Sequence, residues 1–247
     1  MIIDVHGIQM YLEERGDGEP LLLLHGGTGI GSDWNLVFAG GGPAGFRVIV
    51  PDLRGHGRST NPSRAFTLRQ AADDVFALLD RIGVPRVKAI GLSMGAKTLL
   101  HMATQQPARI DAMVLVSATP YFPAQARAAM AQLSVDTFSG TDWAAQRLRH
   151  PQGDDQIRML FEQMRALKDS HDDMAFTPPL LATITARTLD RARRPRSALS
   201  GRARDGDVSI DPGLGAVGSA NGGHGPIFGA LAAPFAETAL KFLILNP

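Results

Sequence analysis

The stretch from Val87 to Gln106 constrains this chain more than any other. Val87 to Ile90 reads as a short buried strand, Gly91-Leu92-Ser93-Met94-Gly95 follows at once, and Met94 to Gln106 reads as a helix that stops before Pro107. No residues are left for an ordinary loop, so the chain must turn sharply at Ser93. Such a turn needs glycine on either side, because side chains there clash with neighbouring backbone. It lifts the Ser93 hydroxyl above the sheet and aims it at a helix N-terminus, where free N–H groups can stabilise an oxyanion. The alternative is a serine packed in a Gly-rich turn, and the strand–turn–helix setting disfavours it.

The rest of the chain repeats the same alternation. Leu21 to Leu24 and Arg47 to Val50 read as buried strands, the second closed by Pro51. Leu68, Ala71, Ala72, Val75, Leu78, Leu79 and Ile82 share one face of a helix over Thr67 to Ile82, with Thr67 as its N-cap and Gly83 as its stop. Ala112 to Val116 is a fourth strand, and Phe235 to Leu245 a closing helix. Short apolar runs alternating with helices predict an α/β fold: a mostly parallel sheet with helices on both faces. Between Thr119 and Thr177 the rhythm changes to helical stretches with scattered aromatic and Met residues. The expected organisation is a core over 1–118 and 179–247 and a helical insertion over 119–178, a lid or a small subdomain.

A second Gly-rich loop, His25-Gly26-Gly27-Thr28-Gly29, follows the Leu21–Leu24 strand. Alone it carries little, since such loops are common after strands. Beside the turn at Ser93 it reads as the other half of an oxyanion hole, with the Gly27 N–H joining that of Met94.

The order His25-Gly26-Gly27, then Asp52-Leu53-Arg54-Gly55-His56-Gly57-Arg58-Ser59, then the Ser93 turn resembles the α/β-hydrolase superfamily. The resemblance runs from Val5 to about Leu189 and again from Asn221 to the end. It implies that Asp52 to Ser59, His56 included, is structural. It also implies a base late in the chain, which falls on His224 in Asn221-Gly222-Gly223-His224-Gly225-Pro226. Of the other histidines, His25 is expected in a loop role, and His101, His150 and His171 on helices or on the surface of the insertion, in contact with water.

The resemblance also implies an acid just after the strand that follows the insertion. Ala186 to Leu189 begins that strand, but Asp190 to Ala220 holds six arginines, no aromatic residue and no strand-like apolar run. Two explanations stand. Either the segment is a divergent insert, or compensating frameshifts have altered it. Read one nucleotide later, codons permitted for Asp190 to Ala203 can spell Ile-Val-His-Gly-Asp-Arg-Asp-Pro-Leu-Tyr-Pro-Val-Glu-Leu. That run is similar to the family's strand and acid loop, with an Asp in place of Arg196. As written, the triad acid is unknown, and Asp190, Asp205, Asp207 and Asp211 are the fallback candidates.

Composition narrows the remaining choices. A formal net charge of +1 gives no electrostatic case for nucleic acid or an anionic membrane, and no apolar run nears the roughly 20 residues of a membrane span. The absence of cysteine excludes disulfides, thiolate metal sites and a cysteine nucleophile. No signal peptide is evident, so a cytoplasmic protein is expected, with no metal and no cofactor. The partner expected is a small-molecule acyl substrate; the oligomeric state is open. The expected chemistry is hydrolysis of a small carboxylic ester or related acyl compound. A lactonase or carbon–carbon bond hydrolase using the same residues and a non-catalytic member of the same scaffold are the rivals. Tyr121, Phe122, Phe138, Trp143, Met174 and Trp34 are candidates for an apolar acyl pocket, with plain core packing the alternative for each.

Overall fold

A computed structural model of the chain describes residues 1–38, 42–191 and 227–244. β1 (Ile2–Val5) and β2 (Ile8–Arg15) form an antiparallel hairpin that turns through His6 and Gly7, both at positive φ (43° and 75°). The hairpin is missing from the sequence expectations, although Ile8, Met10 and Leu12 are buried at the period of two that marks a strand with one covered face. β3 (Glu19–Leu24) and β4 (Phe46–Pro51) follow, then α1 (Leu68–Arg81), β5 (Val87–Leu92), α2 (Met94–Gln105) and β6 (Ile110–Val116). Four helices lie between β6 and the next strand: α3 (Ala124–Ala131), α4 (Gly140–Arg149), α5 (Asp154–Ala166) and α6 (Pro178–Leu181). β7 (Arg187–Arg191) and α7 (Ala232–Ile244) complete the described elements.

The seven strands form one sheet in the order β1-β2-β4-β3-β5-β6-β7. β1 to β4 are joined through antiparallel β2, and β4-β3-β5-β6-β7 run parallel. Parallel strands must be covered on both faces, and the side chains show how. Leu22, Leu24, Met113 and Leu115 pack under α1 and α2, whereas Leu21, Leu23, Val114 and Val116 face Phe235, Ala239 and Leu243 of α7.

α1 is closed at both ends. The Thr67 hydroxyl accepts from Gln70 N–H, and the Asp173 carboxylate accepts from Leu68 N–H at 2.6 Å and Arg69 N–H at 3.0 Å, so three of its four free donors are met. At the other end Gly83 takes φ 68°, its N–H donates to Asp80 O and that of Val84 to Leu79 O, a Schellman closure. α1 is also tied to the 52–59 loop by a fully buried bidentate pair, Arg54 Nε to Asp74 at 2.7 Å and Nη2 at 2.8 Å.

The structure redistributes the candidate pocket residues. Phe138 packs edge-on against Trp143 (5.5 Å) and Phe161 (4.9 Å) in a small cluster inside the insertion. Met174 and Phe122 belong to the main core, and Tyr121 is exposed, its backbone bridged to Ala175. Trp34 lies beneath the sheet on the α7 side, stacked 6.2 Å from Phe38. Among the described residues no helix is long and apolar enough to cross a membrane.

Candidate active site

Ser93 connects β5 directly to α2 and carries φ 52° and ψ −106°, a conformation that side chains rarely adopt. Its N–H donates to Val116 O on β6 at 2.7 Å, and its carbonyl accepts from Lys97 N–H at 3.0 Å. The flanking glycines answer to contacts. A Cβ on Gly95 would sit 2.3 Å from Leu24 O and 2.7 Å from His25 O, and one on Gly91 would sit 2.6 Å from Ala96 N. These backbone atoms cannot move aside, so the first turn of α2 presses against the end of β3 only because residue 95 has no side chain. Met94, the first residue of α2, is buried, and Ser93 is half-buried.

The loop after β3 lies beside that turn. His25 fixes it: Nε2 accepts from Leu53 N–H at 2.9 Å, which leaves the proton on Nδ1 to be donated to Gly26 O at 2.8 Å. Gly27 is half-buried, and Met164 of α5 closes over it, its Sδ 2.7 Å from where a Cβ would be. Met164 was not marked from sequence. Its signal is the buried face of α5, Ile157, Leu160, Phe161 and Met164, at helical spacing.

The segment from Asp52 to Ser59 braces this loop. Asp52 accepts from Gly31 N–H (2.7 Å) and Arg58 N–H (2.9 Å), while Ser59 Oγ donates to Asp52 O and accepts from Tyr11 N–H. His56 donates from Nδ1 to Arg54 O at 2.9 Å, and its Nε2 is buried without a partner. His150, expected at the surface, is instead fully buried at the end of α4. Its Nδ1 accepts from Gly57 N–H (3.0 Å) and its Nε2 donates to Thr28 O (3.2 Å). His101 is also buried rather than solvated, with its Nε2 on Asp173 O at 2.7 Å and its ring 4.8 Å from Phe176. The reason is shared: each ring has backbone partners on other segments, and periodicity on the residue's own helix carries no trace of them. His171 is exposed. Burial holds His25 and His56 below the ordinary imidazole range and His150 down to about 4.

α5 is docked by amides. Gln152 Nε2 donates to Ser59 O (3.0 Å), Gln156 Nε2 to Gly55 O (2.9 Å) and Gly57 O (2.8 Å), and Gln163 Nε2 to Arg64 O (2.8 Å). A cleft of about 650 Å³ between the β1–β2 turn, the 60–64 loop and α5 contains none of the candidate residues around Ser93.

Asp190 pairs with Leu115 in the β6–β7 ladder. Because Leu189 faces α7, Asp190 points to the opposite face of the sheet. Desolvation pushes its carboxyl up to about 6, and no described residue forms an ion pair with it. His224, Asp205, Asp207, Asp211 and Arg196 lie outside the described residues.

Comparison with known proteins draws these features together. A family model described as "alpha/beta hydrolase fold" matches residues 19–214. Epoxide hydrolase 3 of Siraitia grosvenorii is 32% identical over 117 residues, 47% of this chain and 37% of that protein. The 2-hydroxy-6-oxo-6-phenylhexa-2,4-dienoate hydrolase of Comamonas testosteroni is 32% identical over 120 residues, 46% of this chain and 41% of that protein. The chain therefore aligns with well under half the length of these relatives. The crystal structure of the enol-lactonase from Burkholderia xenovorans superposes with a TM-score of 0.63 at 18% identity, over 99% of this chain and 100% of that one.

Proposed function

The chain belongs to the alpha/beta hydrolase fold family, and from that premise we propose that it is a serine hydrolase of small carboxylic esters or related acyl substrates. The observation that carries this reading is the conformation of Ser93, a non-glycine residue held at φ 52° between a parallel strand and a helix N-terminus. Strain of that kind persists only where the surroundings enforce it, and it gathers at functional sites. In this reading Ser93 Oγ attacks the substrate carbonyl, His224 takes the hydroxyl proton and returns it to the leaving group, and water resolves the acyl-enzyme. The N–H groups of Gly27 and Met94 hold the oxyanion, with Met164 helping to keep water from Gly27. Lactone and carbon–carbon bond cleavage would draw on the same residues and stand as its alternatives. A serine at the turn supports acyl chemistry over epoxide opening.

The test is covalent labelling. A fluorophosphonate probe should modify the unsubstituted chain at Ser93 and leave Ser93→Ala unmodified, with hydrolysis of short p-nitrophenyl esters lost in parallel. Undiminished turnover in Ser93→Ala overturns the mechanism.

A second reading, a catalytically impaired member, is favoured by one specific observation. The described part of β7 ends at Arg191, and Ala192 to Arg204 supplies arginines but no carboxylate in the stretch where the resemblance implies the acid.

A further inference from the structure

Lys97 sits one turn into α2 from Ser93 and is only 4% exposed. Among the described residues no carboxylate pairs with it. Its Nζ lies 3.4 Å from Ser117 O and 5.6 Å from the centre of the Phe122 ring. This is a costly place for a cation. Burying an ammonium without a counter-ion costs several kcal/mol, and a positive charge near a helix N-terminus also opposes the helix dipole. Burial pushes the amine down to about 8, which leaves it largely protonated at neutral pH. Methionine would fill a similar volume without either penalty. A local rule broken at such cost points to function.

The contacts show what the amine holds. Ser93 N–H donates to Val116 O and Lys97 Nζ to Ser117 O, so the backbone of the turn and a side chain one helical turn later clasp two consecutive carbonyls at the exit of β6. Ser117, like Ser93, is held in the left-handed region, at φ 55°. Phe122, shortly after β6, is approached by a second cation, with Arg127 of α3 5.7 Å from the ring centre. Arg127 in turn donates to the carbonyls of Phe122, Lys168 and Ser170. Lys97 is thus the link between the helix that begins at Ser93, the strained exit of β6 and the first residues of the insertion.

We propose that Lys97 is a positioning residue for the reaction at Ser93: its amine, bonded to Ser117 O and seated on Phe122, holds the β6 exit against the turn. Its charge adds to the positive end of α2, where an oxyanion on the substrate of Ser93 is best stabilised. The inference rests on the reading of Ser93 as the nucleophile.

The experiment compares the full chain with Lys97→Met and Lys97→Arg. It follows fluorophosphonate labelling rate, thermal midpoint and amide hydrogen exchange of the peptide covering 117–122. Lys97→Met should melt at or above the parent temperature, because an uncompensated buried charge has been removed. It should nevertheless label roughly 10- to 100-fold more slowly, the scale of a small misplacement at a reacting centre, and exchange faster over 117–122. Lys97→Arg should recover part of the rate. A Lys97→Met chain that labels as fast as the parent overturns the positioning role and leaves the Ser93 reading standing. One that melts well below the parent assigns Lys97 to structure and overturns the proposal. No labelling of the parent overturns the Ser93 reading and the positioning role with it, whatever the exchange shows.

Discussion

His150 Nε2 donates to Thr28 O at 3.2 Å, across 122 residues of sequence, and so joins the end of α4 to the loop that carries Gly27. The same ring accepts from Gly57 N–H through Nδ1. A protonated imidazole has no acceptor to offer, so this bridge exists only while His150 is neutral. His25 is held in one neutral tautomer by the same logic.

Stability should therefore depend on pH in a defined direction. The unfolded imidazoles take up protons below about 6.5, whereas burial holds His150 neutral down to about 4 and keeps His25 and His56 depressed as well. Their contribution is fully present above about pH 6.5 and is lost as pH falls towards 4. Calorimetric midpoints should decline over that window, and His150→Gln should show a shallower decline. An identical slope in the variant would remove His150 from the account.

Asp173 caps a helix more than a hundred residues before it in the chain. Asp173→Ala strands the N–H groups of Leu68 and Arg69 while leaving the Thr67 cap in place. The expected loss is about 1–2 kcal/mol by urea denaturation, with faster amide exchange at the first turn of α1. A change within a few tenths of a kcal/mol contradicts the capping role.

Two glycine-to-alanine changes should move in opposite directions. At Gly95 the new methyl meets Leu24 O at 2.3 Å, whereas at Gly140 nothing lies within 4 Å. Gly95→Ala is expected to cost about 3 kcal/mol or more through backbone overpacking. Gly140→Ala, at the start of α4, should gain roughly 0.4–1 kcal/mol by restricting the unfolded chain. Equal effects at the two sites would refute the tight contact at the turn.

The unassigned acid gives the sharpest kinetic expectation. In the proposed mechanism Arg196, at the position where the resemblance implies an Asp, could not replace that acid, since a cation beside His224 would disfavour the imidazolium formed during attack. If none of Asp190, Asp205, Asp207 and Asp211 reaches His224, turnover should stand about 10⁴-fold below that of a complete triad. Recoding Asp190 to Ala220 in the alternative frame should raise kcat/KM on short esters by orders of magnitude. A recoded chain no more active than the present one refutes the frameshift explanation.

The parts legible in the sequence were those written in local periodicity. The runs at Leu21–Leu24 and Ala112–Val116, the Thr67 cap, the Gly83 stop and the strand–turn–helix at Ser93 each declare themselves within a dozen residues. His150, His101 and Asp173 did not, because their partners are backbone groups on distant segments. Trp34 misled for a related reason: an aromatic residue near a Gly-rich loop does not say to which side of the sheet the following turn carries it, and here that side is the α7 core. In β7 the strand expected to begin at Ala186 to Leu189 is present, and it runs on through Asp190 and Arg191 because its ladder to β6, rather than apolar content, defines it.

The three glutamines that dock α5 have a consequence for what covers Gly27. Their amides carry no net charge, so neither salt nor acid loosens the four bonds they make to carbonyls between residues 55 and 64. Met164 is thereby held over Gly27 by a seam indifferent to ionic conditions. The cover over Gly27 is in effect part of the frame, and it should keep its place across changes of salt and pH.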